Sequence, residues 1–168
     1  QARRLMGINS KQFNFILNPK DVFEAPEVLM TFTDLGFTSL SHTYHDFFRQ
    51  NMCESKFVHG ERPILINTWE ATFFDFDDTK LIEIAKAAKN MGVELMVMED
   101  GWFGDRMDDN AGLGDWVVNK KKIRCGLNEL VKQINDIGLK FGIWFEPEMV
   151  SEDSDLYRAH PDWAMQIP

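Results

Sequence analysis

The chain has 168 residues, 44% of them hydrophobic, which is apolar material enough for one core and part of another, and its net charge at pH 7 is −9. That negative balance argues against nucleic acid or an anionic membrane as a partner, because phosphates would be repelled, and favours a neutral substrate. Two cysteines, Cys53 and Cys125, are too few and too widely separated for a disulfide framework, which points to a reducing, cytoplasmic setting.

The chain opens at Gln1 with no charged-then-apolar leader, and no apolar run approaches the length of a membrane span. A start without methionine leaves room for a removed upstream signal. From Gln1 to about residue 57 the pattern is that of strands. Phe13, Phe15 and Leu17 alternate with Gln12, Asn14 and Ile16, and Asn18-Pro19-Lys20-Asp21 then reads as a turn. Val28, Met30 and Phe32 alternate in the same way with Leu29, Thr31 and Thr33, so this part resembles the end of a β-sandwich. Leu40, Tyr44, Phe47 and Phe48 recur at helical spacing as far as Asn51, which predicts a connecting helix. The charged stretch from Ser55 to Arg62 is the expected domain boundary, with residues 1–57 before it and 58–168 after it.

After Pro63 the period changes. A strand over Pro63 to Asn67 leads to a helix from Thr79 to Met91, with Asp78 as N-cap, Gly92 as stop and Leu81, Ile84, Ala85, Ala88 and Met91 on its apolar face. A second strand is expected at Val93 to Met98, then a long loop to about Cys125. The next helix buries Leu127, Leu130, Val131, Ile134 and Ile137 and stops at Gly138, and a third strand begins at Leu139. Alternating strands and helices with nearly continuous apolar strands predict an α/β fold whose parallel sheet is buried on both faces. Tight helix-to-strand turns and long strand-to-helix loops are the asymmetry of a (β/α)8 TIM barrel. Three strands do not close such a barrel, so a fragment is expected, with exposed apolar edges that favour aggregation in isolation.

Each strand ends in tryptophan and acid: Asn67-Thr68-Trp69-Glu70, Glu99-Asp100-Gly101-Trp102 and Trp144-Phe145-Glu146. The carboxyl ends of parallel strands share one face, so these groups should converge on one cavity. An indole stacks on the C–H face of a pyranose while a carboxylate accepts from its hydroxyls, which makes a sugar the expected ligand. Read singly, Glu99-Asp100 before Gly101 serves equally as a turn, and Trp69 and Trp144 equally as core residues. The repetition at equivalent strand ends favours the sugar site. Trp102, Trp116 and Trp163 read as structural. Glu146 and Glu148 flank Pro147 on opposite sides of an extended chain, so at most one faces the cavity.

No metal or other cofactor is implied. The acidic loop of Asp105, Asp108, Asp109, Asn110 and Asp115 fails the calcium-loop pattern, because counting from Asp108 puts Leu113 and Asn119 where glycine and an acid are required. His42, His45, His59 and His160 show no ligand spacing beyond the pair around Thr43-Tyr44.

The segments Arg62-Pro63-Ile64-Leu65-Ile66-Asn67-Thr68-Trp69-Glu70-Ala71-Thr72, Glu99-Asp100-Gly101-Trp102-Phe103-Gly104, Leu113-Gly114-Asp115-Trp116 and Phe141-Gly142-Ile143-Trp144-Phe145-Glu146-Pro147-Glu148-Met149-Val150-Ser151, with Ser41-His42-Thr43-Tyr44-His45-Asp46 upstream and Asp153 to Trp163 downstream, resemble in order the α-galactosidases of glycoside hydrolase family 36. The resemblance implies the end of an N-terminal β-sandwich followed by the first three βα units of a catalytic barrel. It also implies a retaining hydrolase of terminal α-galactosyl residues in α-galactosides such as melibiose, raffinose and stachyose, tetrameric when complete. Carried over by position, Trp69 lines the sugar subsite, Glu99 and Asp100 bind galactose hydroxyls, and Trp144 packs on the sugar. The family has two aspartates where this chain has Glu99-Asp100, which shifts one carboxylate by a methylene at the hydroxyl assigned to O6. The family's nucleophile, in a Lys-Trp-Asp motif, and its acid/base lie in later strands, so no catalytic residue is expected in this segment and it should be inactive alone. A non-catalytic carbohydrate-binding or regulatory module, a transglycosylase and an α-N-acetylgalactosaminidase are the alternatives.

Overall fold

The computed structural model describes residues 3–11 and 13–165. The chain divides into two compact units, Gln1–Gly60 and Glu61–Pro168.

In the first unit the expected strands are not formed among the described residues, and Gln12 lies outside them. A strand requires a ladder partner, and the backbone here makes local bonds instead, such as Asp21 N–H to Asn18 O at 3.0 Å. The turn at Asn18 is present: Pro19 precedes Lys20 at φ 77°, and the Asp21 carboxylate accepts from Asn18 N–H at 2.9 Å. The alternating phenylalanines gather locally, with Phe13 and Phe15 ring centroids 5.8 and 4.6 Å from Phe23. Helix α1 (Gly36–Asn51) begins one turn before its apolar spacing suggests, and Tyr44 stacks on Phe48 along it.

The second unit is an α/β layer. Its elements in order are β1 (Leu65–Asn67), α2 (Trp69–Thr72), α3 (Asp78–Asn90), β2 (Leu95–Met98), α4 (Leu127–Ile137), β3 (Lys140–Ile143), α5 (Asp155–Ala159) and a 3₁₀ turn at Pro161–Trp163. The sheet order is β1-β2-β3, parallel throughout, with Asn67 opposite Val97 and Met98 opposite Ile143. Helices α3 and α4 pack on each other and against β2 and β3. Leu81, Ala85 and Ala88 of α3, Leu130 and Ile134 of α4, and Met96 and Met98 of β2 form the core.

Two details depart from the sequence reading. The N-cap of α3 is Asp77, whose Oδ1 accepts from Lys80 N–H at 2.9 Å, while Asp78 is the first helical residue. Asp78 is drawn away from capping by the loop ahead of α4: its carboxylate accepts from Cys125 N–H at 3.0 Å and Arg124 Nη2 at 2.8 Å. The Arg124 hydrogen bonds lower the Asp78 pKa to about 2. Met91, read as apolar face, is 71% exposed, because α3 ends at Asn90 and Gly92 at φ 87° turns the chain into β2. The sheet is also not covered evenly. Met96 and Met98 are sealed by the helices, whereas Leu95 and Val97 of the other face are only half-buried and Leu65 at the edge is 52% exposed.

Candidate functional site

The strand register explains why distant residues meet. Hydrogen bonding continues past the strand ends, with Thr68 N–H donating to Val97 O at 3.1 Å and Trp144 N–H to Met98 O at 2.9 Å. Trp69, Glu99 and Trp144 therefore lie just past the ends of three strands whose register sets Asn67 beside Val97 and Met98 beside Ile143. The fully buried Thr68 ties the first two strands here, its Oγ1 accepting from Glu99 N–H at 3.1 Å. Asp100 follows the end of β2, and Gly101 at φ 93° then turns the chain sharply. A Cβ at Gly101 would lie 2.9 Å from the Phe74 ring, so this turn admits only glycine without displacement.

Trp69, Glu99, Asp100 and Trp144 all line one open cavity of about 290 Å³, together with Asn67, Arg106, Asp109 and Glu146. Glu148 does not line it. The Trp69 ring is held edge-on by Phe73 and Phe74, each 5.2 Å away between centroids. Trp144 is backed by Phe103 and Trp116, both at 6.4 Å, and its carbonyl accepts from Trp102 Nε1 at 2.9 Å. Trp102 and Trp116 thus serve the wall behind the cavity, and Trp163 stacks on His160 away from it at 3.9 Å.

The two acids differ in surroundings. Burial pushes the Glu99 pKa up, the Asp100 N–H partly offsets this, and the nearby Asp100 charge adds to the rise. Asp100 is only 6% exposed and is held by a fork: Arg106 Nε donates to Oδ1 at 2.8 Å and to Oδ2 at 3.0 Å, and Nη2 donates to Oδ2 at 2.8 Å. The buried Lys122 lies behind, donating from Nζ to Phe74 O at 2.7 Å and Arg106 O at 3.3 Å, and burial lowers its pKa against the opposing pull of Asp100 and Asp75. Sequence reasoning missed Arg106 and Lys122. The one available signal was a lone arginine inside a loop rich in aspartate. Among the described residues no group of three or more histidines, cysteines or acids is placed to hold a metal, and no helix is long and apolar enough to cross a membrane.

A larger depression of about 680 Å³ lies over residues 104–121 and α5, but its acids are committed. Asp115 caps α5 by accepting from Asp155 and Leu156 N–H at 3.0 and 2.9 Å, and Asp153 and Asp155 pair with Arg158. The smaller cavity combines indole faces, carboxylates and strand carboxyl ends. That combination suits a polyol: acceptors for hydroxyls beside flat apolar walls.

Comparison with known proteins points the same way. Residues 22–168 match the family model described as Melibiase. Alpha-galactosidase AgaA of Geobacillus stearothermophilus is 51% identical over 167 residues, covering 99% of this chain and 23% of that protein. Alpha-galactosidase 1 of Pediococcus pentosaceus is 51% identical over 168 residues, covering 100% of this chain and 23% of that protein. A crystal structure of a variant of the Geobacillus enzyme in complex with raffinose superposes with a TM-score of 0.91 at 50% identity, over 96% of this chain and 23% of that one. The chain therefore spans less than a quarter of the length of these relatives. Matched along nearly all of its sequence and superposable on solved members, this chain belongs to the melibiase family of GH36 α-galactosidases.

Proposed function

We propose that this chain is part of a retaining glycoside hydrolase that releases terminal α-galactosyl residues from α-galactosides such as melibiose and raffinose, and that it supplies part of the galactose subsite. The observation that carries this reading is the gathering of Trp69, Glu99, Asp100 and Trp144 around one cavity at the carboxyl ends of three parallel strands. Relatives at about half identity are named α-galactosidases, and variants of one were crystallised with raffinose and with stachyose. In this reading Trp69 and Trp144 pack on the sugar, Asp100 accepts from O4 and Glu99 meets the O6 side.

The architecture we infer has residues 1–57 as the end of an N-terminal β-sandwich with its connecting helix, and residues 58–168 as the first three βα units of a (β/α)8 barrel. The half-buried outer face of the sheet and the exposed edge at Leu65 fit a sheet that other strands extend. A tetramer in a reducing, cytoplasmic compartment completes the proposal. The test is hydrolysis of a nitrophenyl α-galactoside by the full-length protein, with the first-formed anomer followed by NMR. Release of α-galactose first is expected; β-galactose first, or binding without hydrolysis, contradicts the reading.

A further inference from the structure

Arg106 is gripped on several sides while it lines the cavity. Nε and Nη2 form the fork on Asp100, Nη1 donates to Ala111 O at 3.0 Å, and Cζ lies 5.6 Å from the Phe74 ring centroid. The loop that presents it is itself closed. Gly112 N–H donates to Asp153 O at 2.7 Å, and a Cβ at Gly112 would come within 3.0 Å of Arg106 N, so the backbone passes as closely as glycine permits. The Arg106 carbonyl also accepts from Lys122 Nζ, the amine that holds Phe74 beside Trp69.

Such a cradle has a geometric consequence. The terminal torsion of an aspartate is soft and broadly distributed, so an unsupported carboxylate presents its lone pairs over a wide arc. A guanidinium fork removes that freedom, because two N–H groups at fixed spacing meet two oxygens at once; a lysine at the same place supplies charge without the fork. A carboxylate has about four acceptor positions, so the fork still leaves some for a ligand.

We propose that Arg106 is the positioning residue of this site, locking the Asp100 carboxylate in the orientation in which its remaining lone pairs meet the sugar hydroxyls. The proposal rests on the reading of Asp100 as a galactose ligand. Arg106 then acts through Asp100 alone, and its importance vanishes once Asp100 no longer serves.

The test is a double-variant cycle in the full-length protein, reading the Kd for 1-deoxygalactonojirimycin in Asp100→Asn, Arg106→Lys and the combination, with thermal melting as a check on folding. Arg106→Lys is expected to weaken binding about tenfold, the loss of one well-placed charged hydrogen bond. In the Asp100→Asn background the same change is expected to shift the Kd by less than about twofold. Equal losses in the two backgrounds, or an Arg106→Lys variant that binds like the parent, overturn the proposal while leaving Asp100 as a ligand. Parent-like binding by Asp100→Asn overturns the underlying reading, and the proposal with it. If Arg106→Lys does not fold, Asp100→Asn is compared with Asp100→Asn/Arg106→Gln, which leaves no charge of this pair buried. Matching affinities then support the proposal, and a further loss overturns it.

Discussion

The hydroxyl of Thr68 accepts the backbone N–H of Glu99 at 3.1 Å, joining the end of the first strand to the end of the second beneath the cavity. Thr68 is wholly buried, so this bond has no water to replace it. Thr68→Val keeps the shape and removes the acceptor, leaving the Glu99 N–H without its partner. A loss of about 1–3 kcal/mol in unfolding free energy is expected by urea denaturation of the full-length protein. A change below about 0.5 kcal/mol would show that the strand ends are held by other means.

Asp100 is the acid that the proposed function depends on most. Asp100→Asn keeps the volume but weakens both the Arg106 fork and the bond to the sugar. The expected outcome is a fall in kcat/KM for a nitrophenyl α-galactoside of about 10- to 150-fold or more, the equivalent of a charged hydrogen bond worth about 1.5–3 kcal/mol. Steady-state kinetics near the parent value would remove Asp100 from the subsite.

Glu99 carries two expectations. Restoring the family residue with Glu99→Asp withdraws the carboxylate by one methylene, so the kcat/KM ratio between galactosides and analogues altered at carbon six should change; a constant ratio means that Glu99 does not touch that hydroxyl. Its folded pKa is raised above 4.5 by burial. The neutral form is therefore favoured by folding, and the stability associated with it is present below the unfolded value and lost as pH rises through the folded one. Titration of the full-length protein by NMR should find a carboxyl ionising above 4.5 that is absent in Glu99→Gln.

Asp78 has the opposite sign. With a folded pKa of about 2 against 3.8, its contribution is present above pH 3.8 and is lost as pH falls toward 2. Its partner Arg124 is 58% exposed, so solvent screening reduces the contribution to about 1 kcal/mol. Asp78→Asn should cost about that much near neutral pH, and the difference from the parent should shrink between pH 4 and 2. A gap that persists at pH 2 would assign the effect to packing.

The second unit was legible because its signals are periodic. Leu81, Ala85 and Ala88 mark a helix face, Gly138 in the left-handed region at φ 95° ends α4, and the apolar runs at Leu95 and Phe141 become paired parallel strands. The convergence of strand-end residues followed from parallel pairing alone. What escaped had no period to betray it. Helix α2 is four residues long, shorter than any reliable helical pattern. Arg106 and Lys122 sit in an irregular loop, where their partners, Asp100 and two backbone carbonyls, are set by tertiary folding. Alternation at Phe13, Phe15 and Leu17 suggested strands, yet alternation describes a surface and not a partner, and no ladder forms there among the described residues.

The most direct measurement is a crystal structure of the full-length protein with galactose bound. The pyranose is expected in the cavity between Trp69 and Trp144, with a hydroxyl about 2.6–3.2 Å from an Asp100 carboxylate oxygen. Galactose seated elsewhere, with these three side chains contacting only protein or water, would contradict it.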